Sequence, residues 1–210
     1  MAKPMMGSWK RMKKIARYLV NRKRVIWNFN WQDHAYKSHV CGDSDWGGRT
    51  GSRKSTSEGV WMIGGHCIKT WSVTQGAYAL SSAEAEFYAM IEAVTRAKGL
   101  RSLAVEVGFV DLENVVHIGT DSSAAKSFVG RQGLGKMKHL EIRDLWLQKA
   151  VHDGKVVAHK VLGIENPSDL GTKILNLSPY THLRAHETKA NLVCRLLLET
   201  NNNYSRYRCT

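Results

Sequence analysis

Four carboxylates stand where elements should begin or end: Asp43 in "HVCGDSDWGG", Glu84 in "ALSSAEAEFYAMIEA", Asp121 in "NVVHIGTDSS" and Asp169 in "NPSDLGTKIL". Gathered in one buried pocket they would repel one another and titrate as a coupled set with raised pKa values, unless a cation neutralised them. An all-oxygen donor set without Cys or His suits Mg2+ or Mn2+ better than zinc. Two such ions about 4 Å apart orient an attacking water and stabilise the leaving oxygen of a phosphodiester. The chemistry open to such a cluster is therefore hydrolysis of a nucleic-acid backbone.

The elements that must position these acids can be read along the chain. "HVCGDSDWGG" is a short strand closing in a Gly-rich turn, and "RTGSRKSTSEG" a polar loop. "GVWMI" and "HCIKTWSV" read as two strands around the Gly64-Gly65 turn, which makes three neighbouring antiparallel strands. A long helix or helix pair covers "LSSAEAEFYAMIEAVTRAKGLRSLAVEVG". The β-branched "NVVHIGTD" then runs straight into the small-residue helix "SSAAKSFVG", a pattern of parallel βα units. An amphipathic helix in "HLEIRDLWLQKAVHDG", a strand in "KVVAHKVL" and a short helix opened by Asn166 and Pro167 complete the order.

At about 100° per residue, Phe87, Tyr88, Ile91 and Thr95 fall within about 60° of Glu84, whereas Glu86 points about 160° away. The wheel thus predicts Glu84 inside and Glu86 outside. Each acid also has a plainer reading. Ser81 and Glu84 have capping-box spacing, Asp121 is placed to cap the helix after it, and Asp169 would favour a helix dipole. Asp43 and Asp45 are good turn formers beside Gly47-Gly48. Singly, the plainer readings are favoured; the joint placement is what points to a metal cluster.

The 210-residue chain is 43% hydrophobic, enough for one well-packed domain with appendages. Of the formal charge of +13, nine units lie in residues 1–32, which contain no acid. In "WKRMKKIARYLV" the apolar Trp9, Met12, Ile15, Ala16 and Leu19 recur at helical spacing while Lys10, Arg11, Lys13 and Lys14 fill the other side. Such an arm is attracted to polyanions, nucleic acid above all. It also has the composition of an organellar transit peptide. Cys41, Cys67, Cys194 and Cys209 show neither CxxC nor zinc-ligand spacing, so free thiols in a reducing, intracellular compartment are expected: cytoplasm, nucleus or, given the basic start, mitochondrion. No apolar run approaches the ~20 residues of a membrane helix.

The ordered segments "DSDWGG", "RKSTSEGVWMIGG", "TWSVTQGAYALSSAEAEF", "TDSSAA", "KHLEIRD" and "NPSDLGTKIL" resemble the ribonuclease H domain of copia-type LTR retrotransposon polyproteins. The likeness spans about residues 43–175, and "WKRMKKIARYLVN" resembles the segment that joins reverse transcriptase to that domain. The expected organisation is a basic arm and connecting helix over residues 1–32, the ribonuclease H-like domain over 33–175 and a tail with a helix over 176–210.

The resemblance implies an α/β, ribonuclease H-like fold with a mixed five-stranded sheet flanked by helices. It also implies endonucleolytic cleavage of the RNA strand of RNA–DNA hybrids with two Mg2+ or Mn2+ ions. By motif position the catalytic acids and metal ligands are Asp43, Glu84, Asp121 and Asp169. His139 matches a recurrent family histidine that would assist product departure or bind phosphate; a polar helix-start role is the alternative. Arg53, Lys54, Lys136 and Lys138, with the arm's Lys10, Arg11, Lys13 and Lys14, are the candidate nucleic-acid contacts, ordinary solvated charge being the alternative. Trp46, Trp61 and Trp71 are placed either to stack on nucleic acid or to fill the core. The second functional class is a catalytically silent, co-opted RNA-binding or structural subunit of a ribonucleoprotein such as a ribosome.

Overall fold

The computed structural model describes residues 6–21, 29, 31–32, 37–49, 51–108, 112–135, 137 and 139–169. The tail expected over 176–210, Cys194 and Cys209, and the greater part of "NPSDLGTKIL" lie outside them. Helix α1 (Met6–Asn21) comes first. Strands β1 (Ser38–Asp45), β2 (Thr56–Ile63) and β3 (His66–Thr74) are followed by α2 (Ser82–Glu106), β4 (Val116–Thr120), α3 (Ser123–Val129), α4 (Trp146–His152) and β5 (Val156–Lys160). The sheet order is β3-β2-β1-β4-β5, with β1, β2 and β3 antiparallel and β1, β4 and β5 parallel. This is an α/β arrangement with the mixed five-stranded sheet that the sequence resemblance implies.

Local chemistry explains two departures from the sequence reading and decides one alternative it left open. The polar "TSE" belongs to β2, because Asp45 Oδ1 accepts the Thr56 N–H and draws pairing with β1 to its last residue. The long helix is single: a Cβ at Gly99 would meet nothing within 4 Å, so this glycine sits on an open surface and does not break α2. The helix expected from His139 starts later, as a 3-10 turn (Ile142–Leu145) feeding α4.

Helix α2 holds the core together. Phe87, Met90, Ala93, Val94 and Ala97 are buried in one cluster with Val40, Trp61, Trp71, Val116 and Ile118 of the sheet. Two glycines set how closely layers meet. A Cβ on Gly42 would lie 3.4 Å from both the Ala89 carbonyl oxygen and Ala93 Cβ, so α2 rests on β1 through small residues. A Cβ on Gly59 would fall 2.1 Å from the ring of its cross-strand partner Trp71, which covers β2 at that point. Among the described residues Cys41 and Cys67 are buried, and no helix is long and apolar enough to cross a membrane.

Candidate metal centre

The parallel pairing of β1 with β4 puts two acids side by side. Cys41 is the Cα partner of Gly119, and two residues beyond each stand Asp43 and Asp121. Asp43 is 4% exposed. Asp121 escapes the capping role open to it, because Ser122 is the N-cap of α3 and its hydroxyl accepts the Ala125 N–H at 3.2 Å. The Asp121 backbone carbonyl instead accepts a hydrogen bond from Lys160 Nζ, at the end of neighbouring β5.

Glu86, not Glu84, completes the group. One carboxylate oxygen from each of Asp43, Glu86 and Asp121 lies within 4.8 Å of the others. Ala89 and Ala93 sit over Gly42, and Glu86, three residues before Ala89, continues that stripe over the end of β1. Its Oε1 accepts from the Ser44 backbone N–H at 3.2 Å and the Ser44 hydroxyl at 3.0 Å. Its Oε2 is closed off from solvent without a hydrogen-bond partner. Burial first, then the negative charge of Asp43 and of Asp121, push the Glu86 carboxyl up to about 8, against the pull of the Ser44 hydrogen bonds. An oxygen-only set with an orphaned buried oxygen fits a hard divalent cation, with Asp43, Glu86 and Asp121 as its holders.

Glu84 is inside, as the wheel predicts, at 1% exposure, but it faces another partner. Its Oε2 accepts from the Leu80 N–H at 2.9 Å and bonds His139 Nε2 at 2.9 Å, while Ser81 caps the helix by accepting the Glu84 N–H. The capping reading of Ser81 and Glu84 therefore describes this acid, and its expected place in the cluster passes to Glu86. Phe87 explains the error. It packs edge-to-face on Phe128 of α3, with ring centroids 4.7 Å apart, so the aromatic neighbours of Glu84 mark the helix-packing side of α2 and not the side over β1. The small-residue stripe Ala89-Ala93, in line with Glu86, was the signal for the strand-facing side.

Asp169 is not one of the three gathered acids. Its N–H bonds the Asn166 carbonyl at 3.2 Å, and the Asn166 amide reaches the Gly42 carbonyl at 3.5 Å, which lays this segment against β1 next to Asp43. His139 has its ring 44% exposed at the rim of the Glu84 pocket. Arg53 is exposed, and Lys54 donates to the Gly76 carbonyl at 2.7 Å. Lys10 and Lys13 lie exposed on α1. Lys136 and Lys138, and the side chains of Arg11 and Lys14, fall outside the described residues. Trp61 and Trp71 are core residues, whereas Trp46 is 58% exposed.

No family model matches this chain. It is 29% identical over 167 residues, 80% of its own length, to the retrovirus-related Pol polyprotein from transposon TNT 1-94 of Nicotiana tabacum, of which it spans 12%. It is 35% identical over 89 residues, 42% of its length, to the secreted RxLR effector protein 161 of Plasmopara viticola, of which it spans 62%. Among solved structures, ribonuclease H1 from Halobacterium salinarum aligns with 63% of this chain and 90% of its own at a TM-score of 0.43 and 14% identity.

Proposed function

We propose that this ribonuclease H-like domain, the counterpart of one segment of a retrotransposon Pol polyprotein, hydrolyses the RNA strand of RNA–DNA hybrids with Mg2+ or Mn2+. The observation that carries the reading is the convergence of Asp43, Glu86 and Asp121, with Glu86 Oε2 buried and unmatched. Divalent ions held there would supply an activated water and offset charge on the phosphate; a pair of ions accounts best for both needs.

The chain's own groups have separable tasks in this proposal. Ser44 fixes the direction of the Glu86 carboxylate through two hydrogen bonds to one oxygen. Lys160, bonded to the Asp121 backbone, anchors the loop that bears that acid. Asp169, beside β1, is placed to act as a peripheral acid. Glu84 orients His139, whose exposed ring is available to a phosphate or a leaving product. Arg53 and Lys54 are the phosphate-gripping candidates, and selection for RNA would come from its 2′-hydroxyls across a shallow minor groove.

The test is cleavage of a labelled RNA–DNA hybrid by the wild-type chain and by Asp121→Asn, with and without Mg2+ or Mn2+. Metal-dependent RNA cleavage that the substitution abolishes, with the fold intact by circular dichroism, is expected. Equal cleavage by the variant, or cleavage without metal, overturns the proposal.

A further inference from the structure

Of the tryptophans singled out by sequence, one is spent on neither core nor catalysis. Trp46 follows β1 directly, three residues beyond Asp43, and its ring is pinned without being covered. The indole Nε1–H donates to the Ala79 carbonyl at 3.0 Å, tying the end of β1 to the segment that leads into α2. The next residue, Gly47, turns the chain with φ +62, and its N–H is held by the Ser55 hydroxyl at 3.0 Å. On either side of Ala79, Tyr78 and Leu80 are 59% and 67% exposed. A large aromatic ring fixed by a hydrogen bond and left open loses little further entropy on meeting a flat partner.

Cations outnumber acids on the open side of this surface; the Asp45 carboxylate beside Gly48 is held by the Thr56 N–H, and that of Glu84 by the Leu80 N–H. Residues 46–54 and 74–82 contain Arg49, Arg53 and Lys54 and no acid. Lys54 Nζ lies 5.1 Å over the Tyr78 ring while bonding the Gly76 carbonyl, and Arg49 is held to the Thr74 hydroxyl at 2.7 Å. Cations beside a fixed, open indole match an alternation of phosphate and base, and this surface continues from the strand end that carries Asp43.

We propose that Trp46 is a stacking platform for an unpaired base of the bound nucleic acid, with Lys54 and Arg53 on the adjoining phosphates. The occupant is a single-stranded stretch flanking a duplex, because within a duplex each base face is already covered by its neighbours. The inference rests on the nucleic-acid reading above and deepens it by naming a contact outside the hydrolytic centre. Stacking on one aromatic ring contributes about 1–3 kcal/mol per base and does not depend on base identity.

The experiment measures binding of the full chain, in EDTA so that no cleavage intervenes, by fluorescence anisotropy. The probes are a blunt RNA–DNA hybrid and the same hybrid with a single-stranded extension of about four nucleotides. Trp46→Ala should weaken binding of the extended probe by about 5- to 100-fold and of the blunt one by less than about twofold, while Trp46→Phe retains most of the preference. The salt dependence should be unchanged in Trp46→Ala and shallower in Lys54→Ala, which loses a phosphate contact. Thermal melts of both Trp46 variants should fall alike and by only a few degrees, because the ring is exposed and each variant loses the same single hydrogen bond to Ala79. Equal weakening of both probes, or of neither, overturns the platform while leaving the hydrolase proposal to its own cleavage assay. Failure of the wild-type chain to bind either probe likewise overturns the platform.

Discussion

Glu86 is tied to Ser44 through a single oxygen: Oε1 accepts both the Ser44 N–H and its hydroxyl, and Oε2 is left buried and unmatched, in a carboxylate that gathers with those of Asp43 and Asp121. A carboxylate held on one oxygen and open on the other is set up to bind something on its open side. The two glutamates of "SAEAE" should therefore behave differently. Glu86→Gln should weaken Mn2+ binding by more than about tenfold, by calorimetric titration, whereas Glu84→Gln should leave it within about threefold. The reverse pattern would return Glu84 to the metal site.

Metal binding should be coupled to proton release. Without a cation the Glu86 carboxyl is held up to about 8 by burial, Asp43 and Asp121, so at neutral pH it carries a proton that a metal must displace. Calorimetry in two buffers of different ionisation enthalpy should show that release near pH 7, and the apparent affinity should rise with pH up to about 8. A buffer-independent enthalpy would contradict this. The linkage has a definite sign. A carboxyl whose folded pKa is raised adds stability below its unfolded value and loses it as pH climbs to the folded value, so the metal-free protein should lose stability from about pH 4.5 to 8.

The opposite slope comes from the far end of β1. His39 is pushed down to about 4, by burial first and then by His159 and His117. His117 Nδ1 and His159 Nε2 are 3.0 Å apart, and Glu113 takes the other nitrogen of His117 at 3.1 Å. A buried base with a lowered pKa contributes stability above its unfolded value of 6.5 that is lost as pH falls toward 4, up to about 3 kcal/mol here. Melts between pH 7.5 and 4.5 should fall for wild type and flatten for His39→Gln; saturating metal would remove the competing contribution of Glu86. Parallel curves for the two proteins would show that His39 is not the source.

Gly59→Ala should separate packing from the site. The added carbon would fall 2.1 Å from the Trp71 ring, and that buried ring must shift to accept it. A loss of about 1–3 kcal/mol, seen as a lower Tm, is expected with metal affinity changed less than about twofold. Unchanged stability would mean that Trp71 does not lie across Gly59 as described.

The sequence alone determined the sheet and two of the three gathered acids. Alternating and β-branched runs, bounded by glycine turns, are local signals, and an acid at a strand end stays at that end however the strands are arranged. Asp43 and Asp121 were legible for that reason, and parallel pairing of their strands was enough to bring them together. The choice between Glu84 and Glu86 was not local. A helical wheel finds an inward side when a helix buries one face, but α2 buries two, with Phe87 against Phe128 on one side and Ala89 and Ala93 against Gly42 on another. Which side lies over the strand ends depends on how the helix crosses the sheet. The same is true of Trp46, Trp61 and Trp71, which share strand or strand-end positions yet divide between surface and core. It holds equally for His39, whose pKa is depressed first by burial and then by histidines on two other strands. These properties belong to distances between remote parts of the chain, and only the packed tertiary structure sets those distances.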